Sequence, residues 1–257
     1  MIHNILSSLD NNSKGDIFAV IASLVDWKQA FSRQDPTLGI QSFIENGIRP
    51  SLLPMLANYF QGRKAFVKWK GTNSETKDSH GGGPQGGFFG IIKFLSQSND
   101  NSETIDLEEK FKFVDDLTAL EIVNLLSIGL SSFNVKHSVP TDVPNNNGYI
   151  AAENLKTQQY LNDISEWTTR KMMKLNTEKT KIMIFNYTTN HQFTTRVTID
   201  NVNIEVVPEA KLLGTHITND LKWDVNTAHI VKKYNARMQL LRKIYSFGAS
   251  HQVLYGT

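Results

Sequence analysis

Residues 111–120 read Phe111-Lys112-Phe113-Val114-Asp115-Asp116-Leu117-Thr118-Ala119-Leu120. Two short apolar arms meet at a pair of aspartates, which predicts a β-hairpin carrying both carboxylates at its tip. Neighbouring carboxylates repel each other, and a divalent cation is the simplest remedy. Upstream, IFAVIASLVDWKQAF (residues 17–31) is β-branched and apolar, and predicts a buried strand that ends at Asp26. An acid in such a setting is costly unless it stands at the strand end and finds a partner. Taken singly, Asp115-Asp116 also fits a solvated turn and Asp26 a turn cap. Together they form the minimum set for two magnesium ions, since magnesium is commonly held by one or two carboxylates plus substrate phosphates. Two ions roughly 3.5–4 Å apart clamp the attacking and leaving oxygens of an in-line phosphoryl displacement.

Working outward, Asp35, Pro36 and Gly47 start and stop a helix in DPTLGIQSFIENG, and a second helix is expected from about Pro50 to Gln61. A short strand, KAFVKWKG, leads to a polar loop, TNSETKDSH. The glycine cluster GGGPQGG (residues 81–87) then precedes an apolar helical run, FFGIIKFL. Beyond the hairpin, residues 120–133 are apolar enough for a buried helix. SVPTDVPNNNGY has the prolines and asparagines of a loop. Leu161, Ile164, Met172 and Leu175 recur at helical spacing between Glu153 and Leu175. The strand TKIMIFNY, the arms RVTI and IEVV around DNVN, and KLLGTHIT follow. Thr227 to Tyr245 closes the pattern as an amphipathic helix with Val231, Tyr234, Met238, Leu241 and Tyr245 on one stripe. Irregular alternation of helices, strands and hairpins predicts an α+β fold.

Composition sets the outer limits. The chain has 257 residues, 40% apolar and 20% charged, enough for one substantial core. With no cysteine, disulfides and thiolate metal sites are excluded. The first residues lack a secretory pattern, and the longest apolar run, Ile17 to Val25, is too short to cross a bilayer. An intracellular protein with no membrane partner is the expectation, with nucleus and cytoplasm undistinguished. The net charge of +2 divides unevenly: residues 1–128 hold 12 Lys+Arg against 15 Asp+Glu, or −3, and residues 129–257 hold 15 against 10, or +5. A polyanion suits the second half, although ordinary surface charge explains the split as well.

The order of these features resembles the reverse transcriptases, especially those of non-LTR retrotransposons, from about Phe18 to Ile244. VDWKQAF resembles the first palm motif, which implies Asp26 as a metal ligand and Phe31 as the gate beneath the sugar. GGGPQGG resembles G-x-P-Q-G, which implies Gln85 and Gly86 beside the incoming nucleotide and template. FVDD resembles the aromatic-x-Asp-Asp hairpin, with Asp115 the stronger ligand and Asp116 its neighbour. MKLNTEKTKIMIF resembles the next palm segment, implying Lys179 as proton donor to pyrophosphate, with Lys181 a competitor. KLLGTHITNDLKWDVNTAHI resembles the primer-holding region, placing Leu213 and Gly214 at the primer grip. Singly Pro-Gln-Gly and Asp-Asp are weak signals; five motifs in order are a strong one.

The resemblance implies a polymerase palm (residues 1–225), an antiparallel sheet backed by helices, followed by the start of a helical thumb (residues 226–257), with the fingers largely missing. It implies an RNA-directed DNA polymerase using an RNA template, a DNA primer, deoxynucleoside triphosphates and two Mg²⁺ ions, with Mn²⁺ as a substitute. An aromatic gate suits deoxynucleotides, because the ring leaves no room for a 2′-hydroxyl. After Pro-Gln-Gly, however, Gly87-Phe88-Phe89-Gly90-Ile91-Ile92-Lys93 lacks the family's Gly-Pro and brings in a lysine. The competing readings are an inactive reverse-transcriptase-like relic that at most binds nucleic acid or a partner, an RNA-dependent RNA polymerase, which Phe31 opposes, and an unrelated α+β binding module.

Overall fold

Strand β1 (Phe18–Val25) is buried along nearly its whole length, as its unbroken apolar run requires. The computed structural model describes residues 1–10, 18–79, 81–82, 87–99, 107, 109–125, 148–186 and 193–248. Before β1 lies helix α1 (Ile2–Asp10), whose Ile5 and Leu9 are buried; the sequence reading had no helix here. Helix α2 (Pro36–Glu45) begins as expected: Asp35 accepts hydrogen bonds from the Thr37 and Leu38 amides, and Pro36 occupies the first turn. A 3₁₀ turn, Pro50–Leu52, leads into α3 (Leu53–Phe60).

The next segment corrects an expectation. TNSETKD, read as a polar loop, carries a two-residue strand at each end: β2 (Lys64–Ala65) pairs with β5 (Lys77–Asp78), and β3 (Lys68–Trp69) with β4 (Thr72–Asn73), all antiparallel. Helix α4 (Phe88–Gln97) follows the glycine cluster.

Strands β6 (Glu109–Phe113) and β7 (Asp116–Asn124) form the expected hairpin, Phe113 facing Asp116 across a Val114-Asp115 turn. Leu120–Asn124 belongs to β7 and not to a helix, because Phe18 to Val25 pairs with it residue for residue. The remainder of that predicted helix, and most of SVPTDVPNNNGY, lie outside the described residues. Strand β8 (Gly148–Ile150) is followed by α5 (Lys156–Arg170). Met172 falls past the end of α5, at φ +54° and 63% exposed, so the predicted stripe stops short of it.

The order continues with β9 (Lys181–Phe185), β10 (Phe193–Thr195), β11 (Thr198–Ile199), β12 (Val202–Asn203) and β13 (Glu205–Val206). The central sheet has the order β13-β9-β1-β7-β6, antiparallel except for the short β13–β9 edge. Tyr160, Leu161, Ile164 and Trp167 of α5 share a core cluster with Ala19, Ile21 and Val25 of β1 and with Ile182 of β9. Val20 and Ala22, on the alternate side of β1, are buried too, so the strand is covered on both faces. Helices α2, α3 and α4 form a second apolar cluster around Phe43, Leu56 and Phe60.

The chain is α+β and divides into two compact units, Met1–Val206 and Val207–Thr257. The second unit holds the hairpin β14 (Glu209–Leu212) and β15 (Thr215–Thr218), and the helix α6 (Asp224–Ser246). Within it the His216 ring of β15 stacks on His229 of α6 at 3.8 Å, and the His216 amide donates to Asn226 Oδ1 at 3.1 Å. The predicted stripe on α6 holds no fully buried residue: Val231, Tyr234, Leu241 and Tyr245 are exposed and Met238 is half-buried. No helix among the described residues is long and apolar enough to cross a membrane.

Candidate active site at the aspartate end of the sheet

The β1–β7 register sets Val25 opposite Leu117. Asp26, one residue past Val25, and Asp116, one residue before Leu117, therefore stand at the same end of adjacent strands. Asp115 sits on the hairpin turn beside them. Asp26 is half-buried, whereas Asp115 and Asp116 are exposed. Partial burial, and then the negative charges of Asp115 and Asp26, push the Asp116 carboxyl above its ordinary value.

Asp26 is held on three sides by the turn that precedes β9. Its carboxylate Oδ2 accepts from the Asn176 side-chain amide at 3.0 Å, its carbonyl accepts from the Asn176 backbone amide at 2.9 Å, and its own amide donates to Thr180 Oγ1 at 3.2 Å. A bridge between Trp27 and Leu175 continues the attachment. Asn176 and Thr180 escaped the sequence reading, although they flank Lys179 in LNTEKT and are residue types that suit a turn. Lys179 itself is exposed on this turn. Its competitor Lys181 is engaged elsewhere, in a 2.6 Å ion pair with Glu205.

Carboxylate oxygens are the hard donors that Mg²⁺ and Mn²⁺ favour. Among the described residues, no three Asp, Glu, His or Cys side chains are gathered closely enough to hold an ion unaided. The donor chemistry fits magnesium in the form that uses one or two carboxylates and completes its shell with substrate phosphates and water. By the sequence resemblance Asp26, Asp115 and Asp116 would be the residues to hold it, and the described residues do not bring these three into one ligand cluster.

Phe31 lies on the turn after Asp26, half-buried, with its ring 5.3 Å from Phe94 of α4. The glycine cluster reaches the same turn. The Gly82 amide donates to the Gln34 carbonyl at 2.8 Å. Its φ is +79°, and a Cβ there would stand 2.9 Å from the Phe31 carbonyl oxygen. Only glycine allows both. Two motifs fifty residues apart in the chain are thus packed together. Gln85 and Gly86 lie outside the described residues.

Behind this turn sits Lys93, fully buried on α4. Its Nζ reaches the Gln34 carbonyl at 3.4 Å and lies 5.0 Å from the centre of the Phe60 ring, and its stem fills the space left by Gly39. Burial pulls its pKa down to about 8, opposed by Asp35 and reinforced by Arg63. This lysine of the apolar run FFGIIKFL is a core residue beneath the Phe31–Gln34 turn.

Leu213 and Gly214 belong to the second unit, where they make the two-residue turn between β14 and β15 with φ of +47° and +87°. Two positive φ values are what a tight hairpin turn of this twist needs.

No family model matches the chain, and no curated protein matches it. Among solved structures, it is similar to an apo telomerase from Candida tropicalis truncated from its C-terminal domain, with 14% identity and a TM-score of 0.49 over 86% of this chain. The chain spans 38% of the length of that telomerase.

Proposed function

We propose that this chain is the palm-centred core of an RNA-directed DNA polymerase, derived from a retrotransposon of the non-LTR type. One observation carries the reading: the strand register sets Asp26 beside Asp116, with Asp115 on the adjoining turn. The five motifs that resemble reverse transcriptases supply the chemical context.

In this reading Asp26, Asp115 and Asp116 would hold divalent ions, which would supply activation of the primer 3′-hydroxyl and charge neutralisation at the triphosphate. The chain's own residues do the positioning, which dominates catalysis of phosphoryl transfer. Asn176 and Thr180 fix Asp26, so its carboxylate needs no reorganisation when the substrate arrives. Phe31, backed by Phe94, blocks the space of a 2′-hydroxyl. By the motif resemblance alone, Gln85 and Gly86 would serve the incoming nucleotide and template, and Leu213 and Gly214 the primer strand. Lys179, exposed and outside the Lys181–Glu205 ion pair, delivers a proton to the leaving pyrophosphate.

The test is extension of a primed RNA template by the 257-residue chain with Mg²⁺, Asp115→Asn serving as control. Equal extension by both proteins rejects catalysis by this chain. Phe31→Ala should admit ribonucleotides, and unchanged sugar choice would remove Phe31 as the gate.

A second reading, an inactive domain of the same kind that binds nucleic acid or a protein partner, has one observation in its favour. The described residues hold no cluster of three ligands ready for a metal. Absence of extension with either Mg²⁺ or Mn²⁺, by a protein that still binds primer–template, would establish it.

A further inference from the structure

The two-stranded arm made by β2 to β5 has no part in the site described above. Every residue from 64 to 79 is exposed, and among them are Trp69 at 72%, Val67 at 69% and Phe66 at 54% exposure. A tryptophan left this open forgoes most of the stabilisation that burial would bring. Around the rings lie Arg63, Lys64, Lys68, Lys70 and Lys77 against only Glu75 and Asp78, a net +3 over residues 61–79. The ion pair from Lys64 to Asp78 is long, 3.9 Å, and solvent-exposed on both sides, so it neutralises little. Phe66 and Val67 lie in the break between the two short ladders, with Lys64 and Lys68 on either side in sequence. Trp69 borders the Lys70-Gly71 turn, where φ is +45° and +85°. The arm is a ribbon of lysines interleaved with open aromatic faces.

We propose that this arm, residues 63–79, binds single-stranded nucleic acid, with Trp69 and Phe66 stacking on unpaired bases and Lys64, Lys68 and Lys70 on the phosphates between them. The charge selects a polyanion and the rings select the kind. A duplex offers base edges in its grooves and keeps its base faces stacked, so an open indole finds a partner only on an unpaired strand. The arm's own shape does not depend on these rings: the Val67–Ser74 backbone bond of 2.9 Å and the Ser74 Oγ contact to the Val67 amide hold its middle. The proposal stands apart from the catalytic reading, because a chain that cannot extend a primer would still carry this surface.

The experiment is equilibrium binding of the full chain to fluorescently labelled dT20, to U20 and to a 20-base-pair duplex, across a salt series. Wild type should prefer dT20 or U20 to the duplex, and the comparison of the two shows whether the sugar matters. Trp69→Ala should weaken single-strand binding about 5- to 50-fold, with most of the loss recovered in Trp69→Phe. Lys68→Ala should lower the slope of log affinity against log salt by about 0.7. Glu45→Gln, at an exposed position on α2 outside both the arm and the aspartate site, should bind as wild type does. Three results would each overturn the proposal: Trp69→Ala binding single strands as well as wild type, equal affinity for the duplex with equal sensitivity to Trp69→Ala, or no single-strand binding by the wild type. Since Trp69 is largely in solvent, the variant should keep the parent melting temperature, and a circular dichroism melt checks that.

Discussion

Asn176 donates a 3.0 Å hydrogen bond from its side-chain amide to the carboxylate of Asp26, across 150 residues of chain. The same asparagine takes the Asp26 carbonyl through its backbone amide at 2.9 Å. An acid at a strand end is thereby aimed by a neighbour that has no charge of its own.

On the proposed polymerase reading, removing that neighbour should be felt in primer extension. Asn176→Ala loses one hydrogen bond to a charged group, worth roughly 1.5–3 kcal/mol, and should reduce primer extension about 10- to 100-fold. Asn176→Asp should do worse at low Mg²⁺, since it adds a fourth carboxylate. Initial rates across an Mg²⁺ titration check this; rates equal to wild type for both variants would show that Asp26 needs no such support.

Crowding at Asp116 makes a prediction about metal that does not require activity. Its carboxyl is raised, first by burial and then by Asp115 and Asp26. The folded state therefore holds this proton to higher pH than the unfolded state does. Stability is gained on going down in pH through the folded value and is lost again as pH rises toward neutrality. Asp116→Asn should raise stability at pH 7 by about 0.5 kcal/mol, the scale of solvent-screened charges. Millimolar Mg²⁺ should raise the wild-type melting temperature more than that of Asp116→Asn. Differential scanning fluorimetry with and without Mg²⁺ reads both, and identical shifts in the two proteins would place the ion elsewhere.

Lys93 has the opposite sign. Its pKa is lowered to about 8 from 10.5, so between these values the unfolded chain binds the extra proton. Stability should rise as pH goes from about 8 to 10.5, by roughly 2–3 kcal/mol at 1.36 kcal/mol per unit. Lys93→Met should abolish that rise and stabilise the protein at pH 7, because the buried ammonium has only a 3.4 Å bond to the Gln34 carbonyl and the Phe60 ring for company. Urea denaturation at several pH values gives the answer; a parallel pH profile in the variant would refute it.

Glu121 predicts the largest purely structural effect. It is 5% exposed on β7, and it accepts from the Lys156 amide at 2.9 Å, the Thr157 amide at 2.7 Å and the Thr157 hydroxyl at 2.6 Å. A side chain from the sheet thus caps α5, whose own N-cap residue, Leu155, cannot do so. Glu121→Ala leaves these donors unsatisfied and should cost about 2–3 kcal/mol by denaturant unfolding. Glu121→Gln, which keeps one acceptor, should cost less.

Where a residue's neighbours in sequence are also its neighbours in space, the sequence alone was sufficient. FKFVDDLTAL announced its hairpin because two apolar arms and a polar tip leave few other shapes. Asp35-Pro36 announced the start of α2 because capping is a contact over two or three residues. The strand ending at Asp26 was legible from one uninterrupted run. Tertiary structure decided the rest. Leu120–Asn124 is strand, not helix, because β1 offers a ladder along its full length, and a short apolar run carries no period that separates the two. Thr72–Asn73 and Lys77–Asp78 are strand because Lys68–Trp69 and Lys64–Ala65 pair with them, against their polar composition. Asn176 beside Asp26, Glu121 under α5, Gly82 against Phe31 and the buried Lys93 were all invisible beforehand. Each depends on chain segments far apart in sequence meeting at hydrogen-bond or van der Waals distance, and no local preference encodes such a meeting.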